Sequence, residues 1–162
     1  MGNSSWIAQT AFRLIYDEVY LGIEPTLITK LYYEAFNIAS REEFVGSVAK
    51  LESEEAPLYI KALIGAFFKA AAMGDAPALA KTDEMAKRGA QFIAALANQM
   101  EFDGDEIEVV LSGSMHTKLP NDIYIAKLHD YAQQMSGRKF RFIKLDKEPV
   151  IGCINWIFRQ YK

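Results

Sequence analysis

Through its first hundred residues the chain repeats apolar side chains every third or fourth position, the spacing of helices that turn one face inward. Residues 4–20 carry Trp6, Ile7, Phe12, Ile15, Tyr16 and Val19 at that spacing, and Gly22 ends the segment. Pro25 marks the next start, with Leu27, Leu31, Ala35 and Phe36 on one face. Ser40-Arg41-Glu42-Glu43 has the form of a capping box and predicts a short helix to about Leu51. Ser53 is expected to cap a helix that runs through Leu63, Phe67 and Phe68 to Met73-Gly74. Asp75 is expected to cap the next one, with Pro77 in its first turn and an end near Met100, before Asp103-Gly104-Asp105. In Gly74-Asp75 the aspartate therefore reads as a helix cap, not a catalytic acid. Small residues at Ala70-Ala71-Ala72 and Ala94-Ala95 predict that these two consecutive helices form a tight antiparallel pair.

The pattern changes near residue 105. A strand is predicted over 106–111, a helix over 121–135, a strand over 139–145 and a closing helix over 150–160. A strand, a crossover helix and a second strand make a βαβ unit, so the two strands should be parallel. The expected fold is α/β but mostly helical. One domain spans residues 1–162, with a helical bundle over 1–104 and a β-α-β-α unit over 105–162. Val109, Val110 and Leu111 run without alternation, which predicts a strand buried on both faces. A two-stranded sheet is marginal by itself. The chain is accordingly expected to be one part of a larger protein or to pair with another chain, a homodimer included. Ser112-Gly113-Ser114-Met115 follows the first strand directly, and ligands of α/β proteins bind beyond strand carboxyl ends. An ordinary strand-to-helix turn would read the same way.

Composition narrows the classes. The chain has 162 residues, 51% of them hydrophobic and 24% charged, with a net charge of −3. That balance, without a Lys/Arg-rich run, argues against a general nucleic-acid binder. The densest basic stretch, Arg138-Lys139-Phe140-Arg141-Phe142, alternates like the solvated face of a half-buried strand. The single cysteine, Cys153, has no partner for an internal disulfide; it reads as a small core residue in a reducing cytosol. His116 and His129 show no metal-ligand spacing. Asn3-Ser4-Ser5 leads straight into an amphipathic segment, not a signal peptide. No apolar run reaches the ~20 residues of a membrane helix. A cytoplasmic location without membrane association is the expectation.

Five short motifs, in order, carry a family resemblance. Gly2-Asn3-Ser4-Ser5-Trp6-Ile7-Ala8 resembles the Gly-Ser-x-x-Trp-Ile-Gly motif that opens the last domain of BadF/BadG/BcrA/BcrD-type ATPases. Pro25-Thr26-Leu27 is similar to that family's Pro-Thr-x-Leu, and Ala70-Ala71-Ala72-Met73-Gly74-Asp75-Ala76-Pro77-Ala78 to its Ala-Ala-x-x-Gly-Asp-x-x-Ala. Leu111-Ser112-Gly113-Ser114-Met115 resembles its Leu-Ala-Gly-Gly-Val adenosine motif, and Pro149-Val150-Ile151-Gly152-Cys153 its Pro-Val-x-Gly-Ala. The family includes the N-acetylglucosamine kinases and belongs to the ribonuclease H-like, actin- and hexokinase-type ATPases.

The resemblance implies the adenosine-binding C-terminal domain of a two-domain kinase. Ser112, Gly113, Ser114 and Met115 would then form a shelf for ATP, and Asn3 and Ser4 would face an aminosugar. It also implies that the phosphate loops, the catalytic aspartate, the magnesium site and most sugar contacts belong to an N-terminal domain. Met1 stands where the family has a glutamate, and three antiparallel strands expected to flank 106–111 have no counterpart. No catalytic residue is assigned, and the chain alone is expected to be inactive. The alternative is a non-enzymatic helical interaction or dimerisation module derived from the same fold. Two departures stand out within the adenosine motif: Ser114 replaces the family's second glycine, and His116 follows where apolar residues are usual.

Overall fold

The computed structural model describes residues 3–147 and 149–160, apart from the side chains of Met115, Pro149 and Gln160. Gly2 of the opening motif and Glu148 before the last helix lie outside the described residues. Helix α1 spans Ser4–Leu21, α2 Leu27–Phe36, α3 Arg41–Gly46, α4 Ala56–Ala72 and α5 Ala76–Gln99. Strand β1 (Glu106–Leu111) leads to α6 (Ser114–Thr117), α7 (Ile123–Ser136), strand β2 (Lys139–Lys144) and α8 (Pro149–Gln160). The outcome is a mostly helical chain with two parallel strands in one sheet, as expected.

Caps set many of the boundaries. Gly22 ends α1 at φ 64°: its N–H bonds the Glu18 carbonyl, and Ile23 N–H bonds that of Asp17. This closes two carbonyls left open by the helix end. Ser40 accepts from Glu43 N–H at 3.2 Å, while the Glu43 carboxylate reaches past the cap to Ala39 N–H at 2.7 Å. The capping box is thus present, displaced by one residue on its return bond. The helix it opens is shorter than expected. It stops at Gly46, and a 3-10 turn (Ala49–Glu52) replaces the last part. Ser53 does not cap α4 directly; it accepts from Glu55 N–H at 3.1 Å, and α4 begins at Ala56.

The core lies where α1, α2 and α4 meet, around Ile7, Ile15, Ile28, Tyr32, Phe67 and Phe68, all essentially inaccessible. The predicted antiparallel pairing of α4 with α5 is not what forms. The chain bends by 102° between them, and α5 instead lies along α7. The small residues of α5 serve that second contact. A Cβ on Gly89 would stand 2.7 Å from Leu128 Cδ1 of α7, so glycine is what admits the leucine there. Helix α7 in turn packs against β2, with His129 Nε2 placed 3.1 Å from the Phe140 carbonyl.

The sheet corrects a second expectation. Ile107 and Leu111 are buried, but Glu106, Glu108 and Val110 are exposed, so β1 is covered on one face only. Partners across the register run from Glu106 with Lys139 to Leu111 with Lys144. On the open face Arg141 pairs with both Glu106 and Glu108, which explains why the basic stretch alternates. Among the described residues β1 pairs with β2 alone. Cys153 is not a core residue: it is exposed on α8. No single helix among the described residues is long and apolar enough to cross a membrane.

Candidate functional site

The strand-end turn is built by its own backbone. Leu145 N–H bonds the Leu111 carbonyl at 3.0 Å, extending the parallel ladder to the last residue of β1. The chain then turns at Gly113, whose φ of 81° and ψ of 155° form a combination populated almost only by glycine. A Cβ there would meet nothing within 4 Å. Glycine is therefore required by the bend, and the space in front of it is open. The Gly113 carbonyl accepts from His116 N–H, Thr117 N–H and the Thr117 hydroxyl at 3.0–3.1 Å, holding the single turn of α6. Ser112, Gly113 and Ser114 are all exposed. The backbone of Met115 lies in α6, and its side chain is outside the described part.

His116 is the residue that sequence reasoning left without a role at this turn. Its Nδ1 lies 2.9 Å from the Ser112 carbonyl. A carbonyl only accepts, so Nδ1 carries the proton in this contact. The ring also rests near Tyr124, 5.9 Å between centroids. Burial raises the Tyr124 phenol above its ordinary value, so it stays protonated at neutral pH. The sequence signal for His116 was its departure from an apolar position; its tie to Ser112 depends on the α6 turn, which the pattern did not predict.

Asn3 and Ser4 lie elsewhere. Asn3 caps α1, its Oδ1 accepting from Trp6 N–H at 2.8 Å, and Ser4 is exposed beside it. Next to them opens a cleft of about 1080 Å³, lined by residues that include Trp6, Phe12, Arg13, Tyr16, Leu63 and Lys81. None of Ser112, Gly113 or Ser114 lines it. Asn3 and Ser4 do not line it either.

Asp75 is a structural residue. Its carboxylate accepts from Ala78 N–H at 3.0 Å, capping α5, and also from the Thr26 hydroxyl at 2.8 Å and Leu27 N–H at 2.7 Å. It joins the starts of two helices. Glu18 completes the junction by accepting from Thr26 N–H at 3.0 Å and from the Thr29 hydroxyl. A second polar cluster crosses α5 and α7. Lys127, Lys87 and the Tyr131 hydroxyl all bond Asp83, and they hold its carboxyl well below the ordinary carboxylate range. Among the described residues no three His, Cys, Asp or Glu side chains come together as a metal-ligand group. No protein-family model matches the chain, and no curated protein matches its sequence.

Proposed function

We propose that the chain is a nucleotide-binding domain that offers the turn Ser112-Gly113-Ser114 as a shelf for the adenosine of ATP, within a phosphotransferase of the N-acetylglucosamine kinase or BadF-type ATPase kind. The observation that carries this reading is the open glycine turn at the carboxyl end of a parallel strand. Glycine at φ 81° bares the backbone, so a flat base can approach it without meeting a side chain. Ser112 and Ser114 add exposed hydroxyls that suit a ribose. The His116 ring, held by its Nδ1 on the Ser112 carbonyl, would stand beside a ligand at the turn.

Phosphoryl transfer also needs a base to orient the acceptor hydroxyl and donors around the phosphates, with magnesium neutralising charge between them. On this reading the magnesium would be held outside this chain, and no residue here is assigned to it. The role of this chain is to bind and orient; the chemistry would come from a second domain or chain, with an aminosugar as acceptor. Calorimetric titration with ATP tests the reading. The purified chain should bind weakly, and Gly113→Val should weaken binding at least ~10-fold. Phosphorylation of N-acetylglucosamine should be undetectable in the same preparation. An unchanged affinity in Gly113→Val would count against the shelf.

A second reading, a non-enzymatic interaction module, is favoured by a different observation. Helix α8 is apolar and exposed, with Trp156 62% and Phe158 68% accessible.

A further inference from the structure

Strands β1 and β2 run parallel, so their carboxyl ends lie side by side. Leu111 is the register partner of Lys144, and Leu145 N–H donates to the Leu111 carbonyl at 3.0 Å. The Lys144 backbone therefore runs about 4.8 Å from the residue that enters the Ser112-Gly113-Ser114 turn. Alternation puts Lys144 on the side of the sheet that carries buried Phe140, toward α7. At the last position of the strand its side chain reaches outward, and Nζ bonds the carboxylate of Asp122, just before α7.

We propose that Lys144 is the anion contact of the strand-end shelf: it leaves Asp122 to take a phosphate of the bound nucleotide, so the shelf recognises a nucleoside phosphate over a nucleoside. The inference rests on the nucleotide-shelf reading and adds to it one phosphate contact supplied by this chain.

Three observations select Lys144. First, it stands at the right end of the sheet. Lys139 begins β2 opposite Glu106, and Arg141 is in ion pairs with both Glu106 and Glu108, toward the amino ends of the strands. Lys144 is the one cation of the two strands at their carboxyl ends. Second, its charge is held loosely. The side chains of Lys144 and Asp122 are 45% and 76% accessible, so both ends of the pair stay hydrated. An ammonium has three donors, and the carboxylate takes one. An exposed pair of this kind contributes little to folding, and a phosphate, with up to two charges and three acceptor oxygens, competes well for the lysine. Third, Asp122 has another partner within reach. It stands where an aspartate ordinarily accepts from the backbone of the first helical turn. Its carboxylate makes no such bond to α7; Asn121 Oδ1 accepts from Ile123 N–H instead, at 3.1 Å. When Lys144 turns to a ligand, the open N–H groups of that turn are beside the released carboxylate. The exchange moves one cation without stranding its anion.

Calorimetric titration of the full chain with adenosine, AMP and ATP, beside Lys144→Met, Lys139→Met and Asp122→Asn, tests the contact. All three side chains are exposed, so the variants should keep the wild-type melting temperature. The wild-type chain should bind AMP and ATP at least ~5-fold tighter than adenosine. In Lys144→Met that advantage should shrink to within ~2-fold, with adenosine affinity unchanged. Lys139→Met removes the same charge from the other end of the strand and should leave the advantage intact. Asp122→Asn should raise AMP affinity, because it releases Lys144, and the rise should vanish when Lys144→Met is added. An advantage that survives Lys144→Met, or is lost equally in Lys139→Met, would overturn the Lys144 contact and leave the shelf standing. A wild-type chain that binds AMP no tighter than adenosine would do the same. Failure of adenosine, AMP and ATP alike to bind would remove the shelf and the contact together.

Discussion

At the residue scale, single polar atoms fix several junctions, and Asp75 is the clearest case. One carboxylate satisfies the first free N–H groups of α5 and also the Thr26-Leu27 entry to α2. It is 7% exposed, so its partners would be left largely without water if it were removed. Asp75→Ala is expected to cost about 2–4 kcal/mol, since one cap and two further bonds to a charged group are lost together. Urea denaturation measures this; a loss below ~0.5 kcal/mol would show that the junction is held by packing alone. The capping role of Asp75 was legible because Gly-Asp-x-Pro is a local signal. Its bonds to Thr26 and Leu27 were not, because they join residues almost fifty positions apart. Gly89 was equally silent in sequence. Gly89→Val places branched carbons against buried Leu128 and should destabilise the chain by about 1–3 kcal/mol. A thermal melt unchanged from wild type would contradict the close approach of α5 to α7.

At the element scale, helix positions were readable and helix partners were not. The strands were legible for the same reason: β1 spans the residues that its composition and flanking turns predicted. Periodicity reports which side of a helix is apolar, not what covers it. The alanines of α4 and α5 suggested that these neighbours pair, but the 102° bend at Met73-Gly74 sends α5 toward α7. The valine run of β1 misled in a similar way. Val110 is apolar by type yet exposed, and the charged neighbours Glu106 and Glu108 on its face were the better guide. The α5–α7 pairing carries its own pH dependence. Asp83 is held ionised chiefly by Lys127, then by Lys87 and Tyr131. A carboxyl whose folded pKa is lowered contributes stability above its unfolded value of about 4, and that contribution fades as pH falls through the folded value. Asp83→Asn should therefore cost about 1 kcal/mol near neutrality, a modest figure because the cluster is partly in water. Between pH 4 and still more acidic conditions the gap between variant and wild type should close. A gap that stays constant down that range would rule out the linkage.

At the scale of the whole molecule, the helical half and the sheet half present different things to solvent. The helical half presents a cleft beside Trp6 and Arg13. The sheet half presents an open turn, an open strand edge and an uncovered apolar helix. The strand-end turn was legible from a strand running into Ser-Gly-Ser. Its relation to Asn3 and Ser4 was not, since a family motif gives residue order and not distance. The folded chain puts the cleft beside Asn3 and keeps the strand-end turn out of it. The proposed shelf thus stands apart from the cleft beside Trp6 and Arg13, and the two locations make opposite predictions for a bound nucleotide. Titration of the ¹⁵N-labelled chain with ATP, followed by amide chemical shifts, separates them most directly. Weak, saturable shifts should centre on Ser112, Gly113, Ser114 and His116, with Trp6 and Arg13 unmoved. Shifts centred on Trp6 and Arg13, or none anywhere at saturating nucleotide, would contradict it.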